Sequence, residues 1–252
     1  MSQYSIDNNL KNIVLVLTAT VEPNSRDTLV VIDPEERKKQ YLEALKFYIN
    51  DTKFKIVFVE NSGNSLASQF HNDEGRIEFI TFNSEPSYPD KGKGVKEYEI
   101  IEYALMHSKF IKHSDYFIKI TGRLKVLNIK GIVNNFYDNK GCVSPKIGCN
   151  WYKKNKMDSR CFIIEENAWK VFRKYGEKLS LKYSFEEALW DTVKSINSVN
   201  TKLYANFKYP LRIEGISGGF GNAYNHSLTY YILKRIKLLL IGQKMHNFLK
   251  ES

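Results

Sequence analysis

Four short apolar runs, each followed by small or polar residues, constrain the fold of this chain more than any other feature of its sequence. They lie at 13–17, 54–59, 76–82 and 116–120. Their length is typical of strands that are buried on both faces of a sheet. Helical periodicity follows the first run at about 33–50, where Asp33 and Pro34 form a helix start, and the third run at about 95–108. This alternation predicts an α/β fold with a Rossmann-type core and a mostly parallel central sheet.

The second half of the chain has a less regular pattern. Residues 162–164 read as a strand, and residues 165–174 and 185–196 read as helices. Residues 212–225 are rich in glycine, which is typical of loops. We therefore expect one domain over residues 1–225, with a regular first region, about 10–125, and an irregular second region, about 126–225.

Composition sets further limits. The chain has 252 residues, 42% of them hydrophobic, which is enough to bury a sizeable core. It has no apolar run of about 18 residues and no secretory signal pattern, so we expect neither a membrane-spanning helix nor a signal peptide. Cys142, Cys149 and Cys161 are an odd set without clustered histidines. We expect free thiols in a cytoplasmic protein and no metal site.

The net charge of +10 indicates an anionic partner. Nucleic acid, a nucleotide diphosphate and an acidic membrane surface all meet that description, and solubility alone is the plain alternative. No helix-turn-helix, zinc finger or RNA-recognition motif accompanies the charge, so we expect no nucleic-acid partner.

Polar residues follow the strands, at the edge where ligands of parallel α/β sheets bind. A nucleotide site is predicted there, formed by Thr18, Ala19, Thr20, Glu60, Asn61, Lys93, Thr121, Gly122 and Arg123. Glu60 and Asn61 suit contacts with a base or ribose, although an Asx-turn is an equal explanation. Lys93 opens a helix after glycine, which favours a phosphate or marks a flexible basic loop.

Arg123 is the most informative of these residues. Many enzymes that use nucleotide-sugars carry Asp-x-Asp at the end of this strand to hold a divalent metal on the diphosphate. This chain contains no Asp-x-Asp. A guanidinium offers paired donors to phosphate oxygens and suits the same place, the alternative being a structural salt bridge.

The helix at 185–196 supplies candidate general bases. Glu187 and Asp191 are four residues apart and share a helix face, whereas Glu186 projects elsewhere. Any of them suits the removal of a proton from a hydroxyl group, although solvated acids on helices are common. Asp158 and Arg160 form a polar rim or a salt bridge, and Ser217 and Gly218 lie in a loop that closes over a ligand or merely connects.

The motifs together resemble bacterial glycosyltransferases of the GT-A fold that build capsular polysaccharide and lipopolysaccharide. The resemblance covers roughly residues 10–225. It rests on Thr18-Ala19-Thr20 with Pro23, on Asp33-Pro34 with Arg37 and Tyr41, on Val57 to Gly63, on Gly92-Lys93-Gly94 with Glu97, and on Lys119 to Arg123. It implies a GT-A-like core with a nucleotide-sugar donor over the first region and the acceptor in the second. Thr-Gly-Arg in place of Asp-x-Asp departs from the family pattern.

The resulting interpretation is a metal-independent glycosyltransferase, hexosyltransferase-like, with no cofactor beyond its nucleotide-sugar substrate. Lys93 and Arg123 neutralise the leaving diphosphate, and Glu187, or else Glu186 or Asp191, activates the acceptor. Asp158, Arg160, Ser217 and Gly218 are the expected acceptor residues. The acceptor is expected to be a growing surface polysaccharide or a lipid-linked oligosaccharide. A nucleotidyltransferase of sugar activation and a non-catalytic nucleotide- or sugar-binding module remain the alternatives.

Residues 226–252 are predicted to form a basic amphipathic helix. Leu228, Ile232, Ile236, Leu239 and Leu240 recur at helical spacing, and Lys234, Arg235, Lys237, Lys244 and Lys250 add positive charge. Such a helix binds the anionic inner face of the cell membrane, or packs its apolar stripe onto the domain.

Overall fold

The computed structural model describes residues 13–23, 31, 33–70, 75–86, 90–137, 146–197, 204–217, 221, 223–225 and 229–236. The strands are β1 (Ile13–Ala19), β2 (Lys55–Glu60), β3 (Ile77–Thr81), β4 (Tyr116–Thr121), β5 (Lys125–Val126), β6 (Ile147–Lys153), β7 (Lys156–Glu165), β8 (Tyr204–Asn206), β9 (Ile213–Ile216) and β10 (Ala223–Asn225). The helices are α1 (Pro34–Asp51), α2 (Lys93–His107), α3 (Lys109–Lys112), α4 (Ile129–Tyr137), α5 (Glu166–Gly176), α6 (Phe185–Ile196) and α7 (229–236), with a 3₁₀ turn at Ala67–Gln69.

The central sheet has seven strands in the order β3-β2-β1-β4-β7-β6-β8. The first four are parallel. Strand β7 is antiparallel to β4 and to β6, and β8 is parallel to β6. A second sheet, β10-β9-β5, is antiparallel. The predicted α/β fold with a Rossmann-type core and a mostly parallel central sheet is confirmed.

Helices cover both faces of the central sheet. Helices α1 and α4 pack on one face through side chains that include Tyr41, Tyr48 and Phe136. Helices α2, α5 and α6 pack on the other through side chains that include Trp169 and Leu189. Strand β1 is buried along its whole length because it lies between these two layers, which explains its unbroken apolar run.

The helix starts follow their sequence signals. The carboxylate of Asp33 accepts hydrogen bonds from the backbone N–H groups of Glu35 and Glu36 at 2.8 and 3.1 Å, and Pro34 occupies the first turn of α1. Ser184 caps α6. The predicted bounds of the first four strands and of these helices agree with the structure to within a few residues.

The second half is more regular than its sequence pattern indicates. Strands β6 and β7 form a hairpin that turns at Asn155, where φ is 57°, and extends the central sheet beyond β4. The pairing of β6 with β7 shifts register between Cys149 and Trp151, as at a β-bulge. Both regions, 10–125 and 126–225, therefore contribute strands to the same central sheet.

Among the described residues, no helix has both the length and the apolar character needed to cross a bilayer. Gly218, Cys142 and residues 237–252 lie outside the described part of the chain.

Candidate functional site

The structure brings together the polar ends of β1, β2 and β4. Thr18 is paired with Thr121 of β4, and Ala19 is paired with Glu60 of β2. The hydroxyl group of Thr20 donates a hydrogen bond of 2.6 Å to Asn61 Oδ1. Because these strands are parallel, their carboxyl ends meet at one edge of the sheet, as the sequence predicted.

Glu60 organises the loops at this edge. Its side chain is completely buried. Its Oε1 accepts hydrogen bonds from the backbone N–H groups of Val21 at 3.0 Å and Ser62 at 2.9 Å, and from the Ser62 hydroxyl. Its Oε2 accepts one from the N–H group of Asn64 at 2.8 Å. This one carboxylate therefore ties together Val21, after β1, and Ser62 and Asn64, after β2. Direct contact between Glu60 and a nucleotide-sugar stays a prediction.

Arg37 and Tyr41 of α1 fix the end of β1. Arg37 donates to the carbonyl oxygens of Thr20 at 2.8 Å and Val31 at 3.0 Å. The backbone N–H group of Thr20 donates to the hydroxyl of Tyr41 at 3.0 Å. Both side chains are buried, so α1 holds Thr20, directly after β1, and Val31 through hydrogen bonds.

Gly122 allows the loop after β4 to lie against β1. Its N–H group donates to the carbonyl oxygen of Thr18 at 2.9 Å. A β-carbon on Gly122 would lie only 2.6 Å from that same oxygen, so a larger residue would push the loop away. This close approach brings Arg123 to the edge of the sheet.

Arg123 is a buried cation with open hydrogen-bonding groups. Its exposure is 7%, and its Nε and one terminal nitrogen have no acceptor among the described residues. Burial lowers the pKa of Arg123, while the nearby Tyr41 and Glu97 act in the opposite direction. A buried donor without an acceptor is costly, and an anion at this edge would supply the acceptor that these two nitrogens lack.

The start of α2 lies beside the start of α6. Gly92, with φ of 92°, precedes Lys93, and its N–H group donates to Asp90 at 2.8 Å. A β-carbon on Gly94 would lie 3.5 Å from the backbone nitrogen of Phe185. Glu97, one turn further, accepts a hydrogen bond from Thr18 at 3.1 Å. The positive end of the α2 dipole therefore lies at the same edge as the polar strand ends.

Asp158 and Arg160 bind each other. Two hydrogen bonds of 2.8 and 2.6 Å join the guanidinium to the two carboxylate oxygens. Burial raises the pKa of Asp158, but the charge and hydrogen bonds of Arg160 outweigh burial and hold it below its usual range. The ring of Tyr224 lies 5.2 Å from Arg160 Cζ. Of the two explanations given for Asp158 and Arg160, the structure shows the salt bridge. Ser217 is buried just after β9, and Gly218 lies outside the described residues.

The three acids of α6 have different partners. Glu187 closes a capping box: its Oε2 accepts from the N–H and hydroxyl groups of Ser184, both at 2.8 Å, and its Oε1 lies 3.3 Å from Lys156 Nζ. The backbone hydrogen bond from Ser184 lowers the pKa of Glu187. Asp191 accepts from Tyr183 at 2.6 Å and pairs with Lys194 at 2.9 Å.

Glu186 binds Ser159 of strand β7. Its Oε1 accepts a hydrogen bond of 2.7 Å from the hydroxyl group of Ser159, in the part of β7 that lies alongside the end of β4. The prediction that Glu187, or else Glu186 or Asp191, is the general base stays a prediction; the structure adds that the Glu187 carboxylate is engaged by its cap and that Glu186 is bound by Ser159. The signal for this cap was present in the sequence, since Ser184-x-x-Glu187 has the spacing of a capping box.

Other residues of this edge were not assigned as site residues from the sequence. They are Glu97, Lys119, Ser159 and Tyr224. Lys119 carried a signal, because it interrupts the apolar strand β4. Ser159 lies between Asp158 and Arg160, which were assigned from the sequence, whereas Tyr224 carried no signal.

The described residues contain no group of three or more histidine, cysteine, aspartate or glutamate side chains arranged to hold a metal ion. The nearby carboxylates have other partners: Glu60 binds loop N–H groups, Asp158 binds Arg160, and Glu97 binds Lys119. Cys149 and Cys161 are buried free thiols, and burial raises the pKa of each.

No family model matches this chain, and no curated protein matches its sequence. Solved structures similar to it include a glycosyltransferase involved in glycosylation of the major capsid of PBCV-1, with 9% identity, 77% of this chain and 80% of that chain covered, and a TM-score of 0.42. The galactosyltransferase LgtC, in complex with donor and acceptor sugar analogs, has 13% identity, coverage of 77% and 72%, and a TM-score of 0.43. A cytidylyltransferase from Leptospira borgpetersenii has 9% identity, coverage of 96% and 98%, and a TM-score of 0.43. At these identities the similarity is one of fold alone.

Proposed function

We propose that this protein is a hexosyltransferase-like glycosyltransferase, which transfers a sugar from a nucleotide-sugar donor to a saccharide or lipid-linked acceptor. The buried guanidinium of Arg123, with two nitrogens that have no acceptor among the described residues, carries this proposal. A diphosphate supplies the acceptor oxygens that this group lacks. The site also has the position expected for a nucleotide, at the carboxyl edge of a parallel sheet.

Leaving-group charge is the main chemical problem of such a transfer. As the bond between the sugar and the diphosphate breaks, negative charge grows on the diphosphate oxygens. Arg123 and the N-terminus of α2, which begins at Lys93, stabilise that charge without a metal ion. A fixed cation in a buried position needs little reorganisation during the reaction, and removing one such charge partner typically costs about 3 kcal/mol.

Glu186 is the proposed general base. It accepts the proton of the attacking acceptor hydroxyl, whose oxygen forms the new bond at the anomeric carbon while the nucleotide diphosphate leaves. This single displacement inverts the anomeric configuration. Glu187 is less suited to this role because its carboxylate is engaged by Ser184 and Lys156, which also makes it a weaker proton acceptor.

The exposed apolar face of α7 supports a lipid-linked or surface-polysaccharide acceptor, because it suits binding to a membrane. Ile232, Leu233 and Ile236 are exposed to 49%, 62% and 50% of their surface. Side chains on the other side of α7 contact the domain: Arg235 lies over the ring of Tyr209 at 4.9 Å, and Arg212 lies over the ring of Tyr231 at 5.7 Å. An apolar face turned outward beside basic residues suits an anionic membrane surface, here proposed to be the inner face of the cell membrane.

Titration calorimetry with a panel of nucleoside diphosphates and nucleotide-sugars, followed by mass spectrometry of the products, tests the function. We expect one nucleotide-sugar to bind and to yield a glycosylated acceptor and a nucleoside diphosphate. Arg123→Ala should lower turnover by about 100-fold, and Arg123→Lys should restore it only in part because paired hydrogen bonds are lost. Arg173→Ala, which removes an ion pair with Glu102 on α2, is the control.

Three results would contradict the proposal. Full activity of Arg123→Ala would remove the role of the guanidinium. Release of pyrophosphate during formation of a nucleotide-sugar would identify a nucleotidyltransferase instead. Tight binding of a nucleotide-sugar without turnover, on any acceptor tested, would identify a binding module.

A further inference from the structure

Lys119 is a completely buried lysine in the middle of the sheet. Its side chain has an exposure of 0%, in the central strand β4. The rings of Phe162 and Phe185 lie 5.8 and 5.9 Å from its ammonium nitrogen. An ammonium group in such surroundings is stable only when its charge and its three hydrogens are matched by acceptors.

Three acceptors surround this ammonium. Glu97 of α2 forms an ion pair with it through Oε1. The carbonyl oxygen of Ser159 in β7 accepts a hydrogen bond of 2.7 Å, and the hydroxyl of Thr121 accepts one of 3.2 Å. Lys119 therefore joins α2, β4 and β7 at one point below the site.

Two of the residues that bind Lys119, Glu97 and Ser159, also contact residues of the proposed site. Glu97 Oε1 also accepts the hydrogen bond from Thr18, at the end of β1 where the donor is proposed to bind. The hydroxyl of Ser159, the residue held through its carbonyl group by Lys119, donates at 2.7 Å to Glu186, the proposed base. One buried cation thus connects the donor edge with the base.

We infer that Lys119 is a positioning residue of the transfer reaction: paired with Glu97, it fixes Ser159 so that the hydroxyl of Ser159 holds the Glu186 carboxylate against the acceptor. This inference rests on the proposed function. An apolar side chain between Phe162 and Phe185 would serve the fold at a smaller desolvation cost, since buried ion pairs seldom stabilise a protein more than apolar residues of the same size. The charge is explained by the carbonyl and carboxylate that it orients.

The test compares Lys119→Met alone with the pair Lys119→Met and Glu97→Gln. The single variant leaves the Glu97 carboxylate without its cation and should lower Tm. The double variant removes both charges at nearly the same volume, so Tm should return toward that of the wild type. Donor affinity by calorimetry should be kept, whereas kcat should stay about 100-fold low, because a misplaced catalytic group costs that much.

Ser159→Ala shows whether the effect passes through the serine hydroxyl. We expect a loss of kcat similar to that of the double variant, with little change in Tm. Combining all three substitutions should lower kcat no further, because all three residues act on Glu186 through the same series of contacts. Lys146→Met with Glu165→Gln, an ion pair of 3.1 Å at the opposite end of β7, is the matched control and should leave kcat unchanged.

Either of two results overturns the inference. One is wild-type kcat in the folded Lys119→Met, Glu97→Gln variant. The other is a combined variant whose loss equals the product of the separate losses. Failure of the proposed function is seen differently, as an absence of sugar transfer by the wild-type chain itself.

Discussion

Gly215 lies directly against the carbonyl group of Arg123: a β-carbon built on Gly215 would lie 2.8 Å from that oxygen and 3.1 Å from Leu124 Cδ2. Its φ of 131° is also one that residues with a side chain rarely adopt. Strand β9, which contains Gly215, pairs with β5, which begins two residues after Arg123. The β9–β10 hairpin therefore supports the backbone of the residue that is proposed to bind the diphosphate.

Gly215→Ala should displace Arg123 and weaken donor binding. The added β-carbon meets backbone on one side and a buried leucine on the other, and the strained φ adds a cost of about 1–3 kcal/mol. We expect a lower Tm and a raised dissociation constant for the donor, by thermal unfolding and calorimetry. Gly131→Ala, in α4 with open space around the new carbon, is the control and should raise Tm. Wild-type donor affinity in Gly215→Ala would show that Arg123 does not need this support.

Glu186→Gln and Glu187→Gln should separate catalysis from helix capping. Glu186→Gln is expected to keep the donor affinity and Tm and to lose transfer, since an amide cannot take the proton. Glu187→Gln is expected to lower Tm slightly, by loss of a charge in the first turn of α6, and to keep most of the transfer. Asp191→Asn should behave like Glu187→Gln. The opposite pattern, with Glu187→Gln or Asp191→Asn as the inactive variant, would move the base along the helix.

Sugar transfer should persist in excess EDTA. The sequence has no Asp-x-Asp at the end of β4 to hold a metal ion. We expect Arg123, which follows this strand, to bind the diphosphate in place of the ion. Rates measured with and without EDTA should agree. If chelation abolished transfer and Mn²⁺ or Mg²⁺ restored it, the proposed role of Arg123 in place of an ion would be wrong.

The outward face of α7 should carry membrane binding. Leu233→Asp with Ile236→Asp removes two exposed apolar side chains and should reduce flotation with anionic vesicles, while the wild type floats at low salt and less at high salt. Leu181→Asp, at a residue that is 72% exposed elsewhere, is the matched control. A chain that ends at Asn225 should remain folded and unbound. Equal flotation of the wild type and the α7 variant, or none by either, argues against a membrane role.

Much of the core could be predicted from local sequence patterns. Periodicity and apolar runs located β1 to β4, α1 and α2, because strands buried between two helical layers have no polar face to interrupt their pattern. Asp33-Pro34 marked the start of α1 for an equally local reason. The polar strand ends followed from the same logic, since parallel strands present their carboxyl ends at one edge.

Of the hairpin β6–β7, only residues 162–164 of β7 were predicted as a strand, and the pair β9–β10 was not predicted. Their glycine and polar residues weaken any local strand signal, and their stability comes from pairing with distant strands. Gly148 illustrates this, because a β-carbon there would lie 2.5 Å from the ring of Phe136. That glycine is required by packing of the tertiary structure, although in the sequence it weakens the strand pattern.

The sequence by itself determined the α/β class, the first four strands and the presence of cations and acids near their ends, because these depend on neighbours within a few residues. Only the tertiary structure decided which of those groups have partners. Arg160 is paired with Asp158, and Glu187 is held by Ser184 and Lys156, whereas Arg123 keeps nitrogens without an acceptor among the described residues. Thr18 and Glu97 are 79 residues apart in the chain, and only the fold brings Thr18 and Lys119 to the same carboxylate oxygen of Glu97. Hydrogen bonding acts over about 3 Å, so partners are chosen by the fold and not by the order of residues.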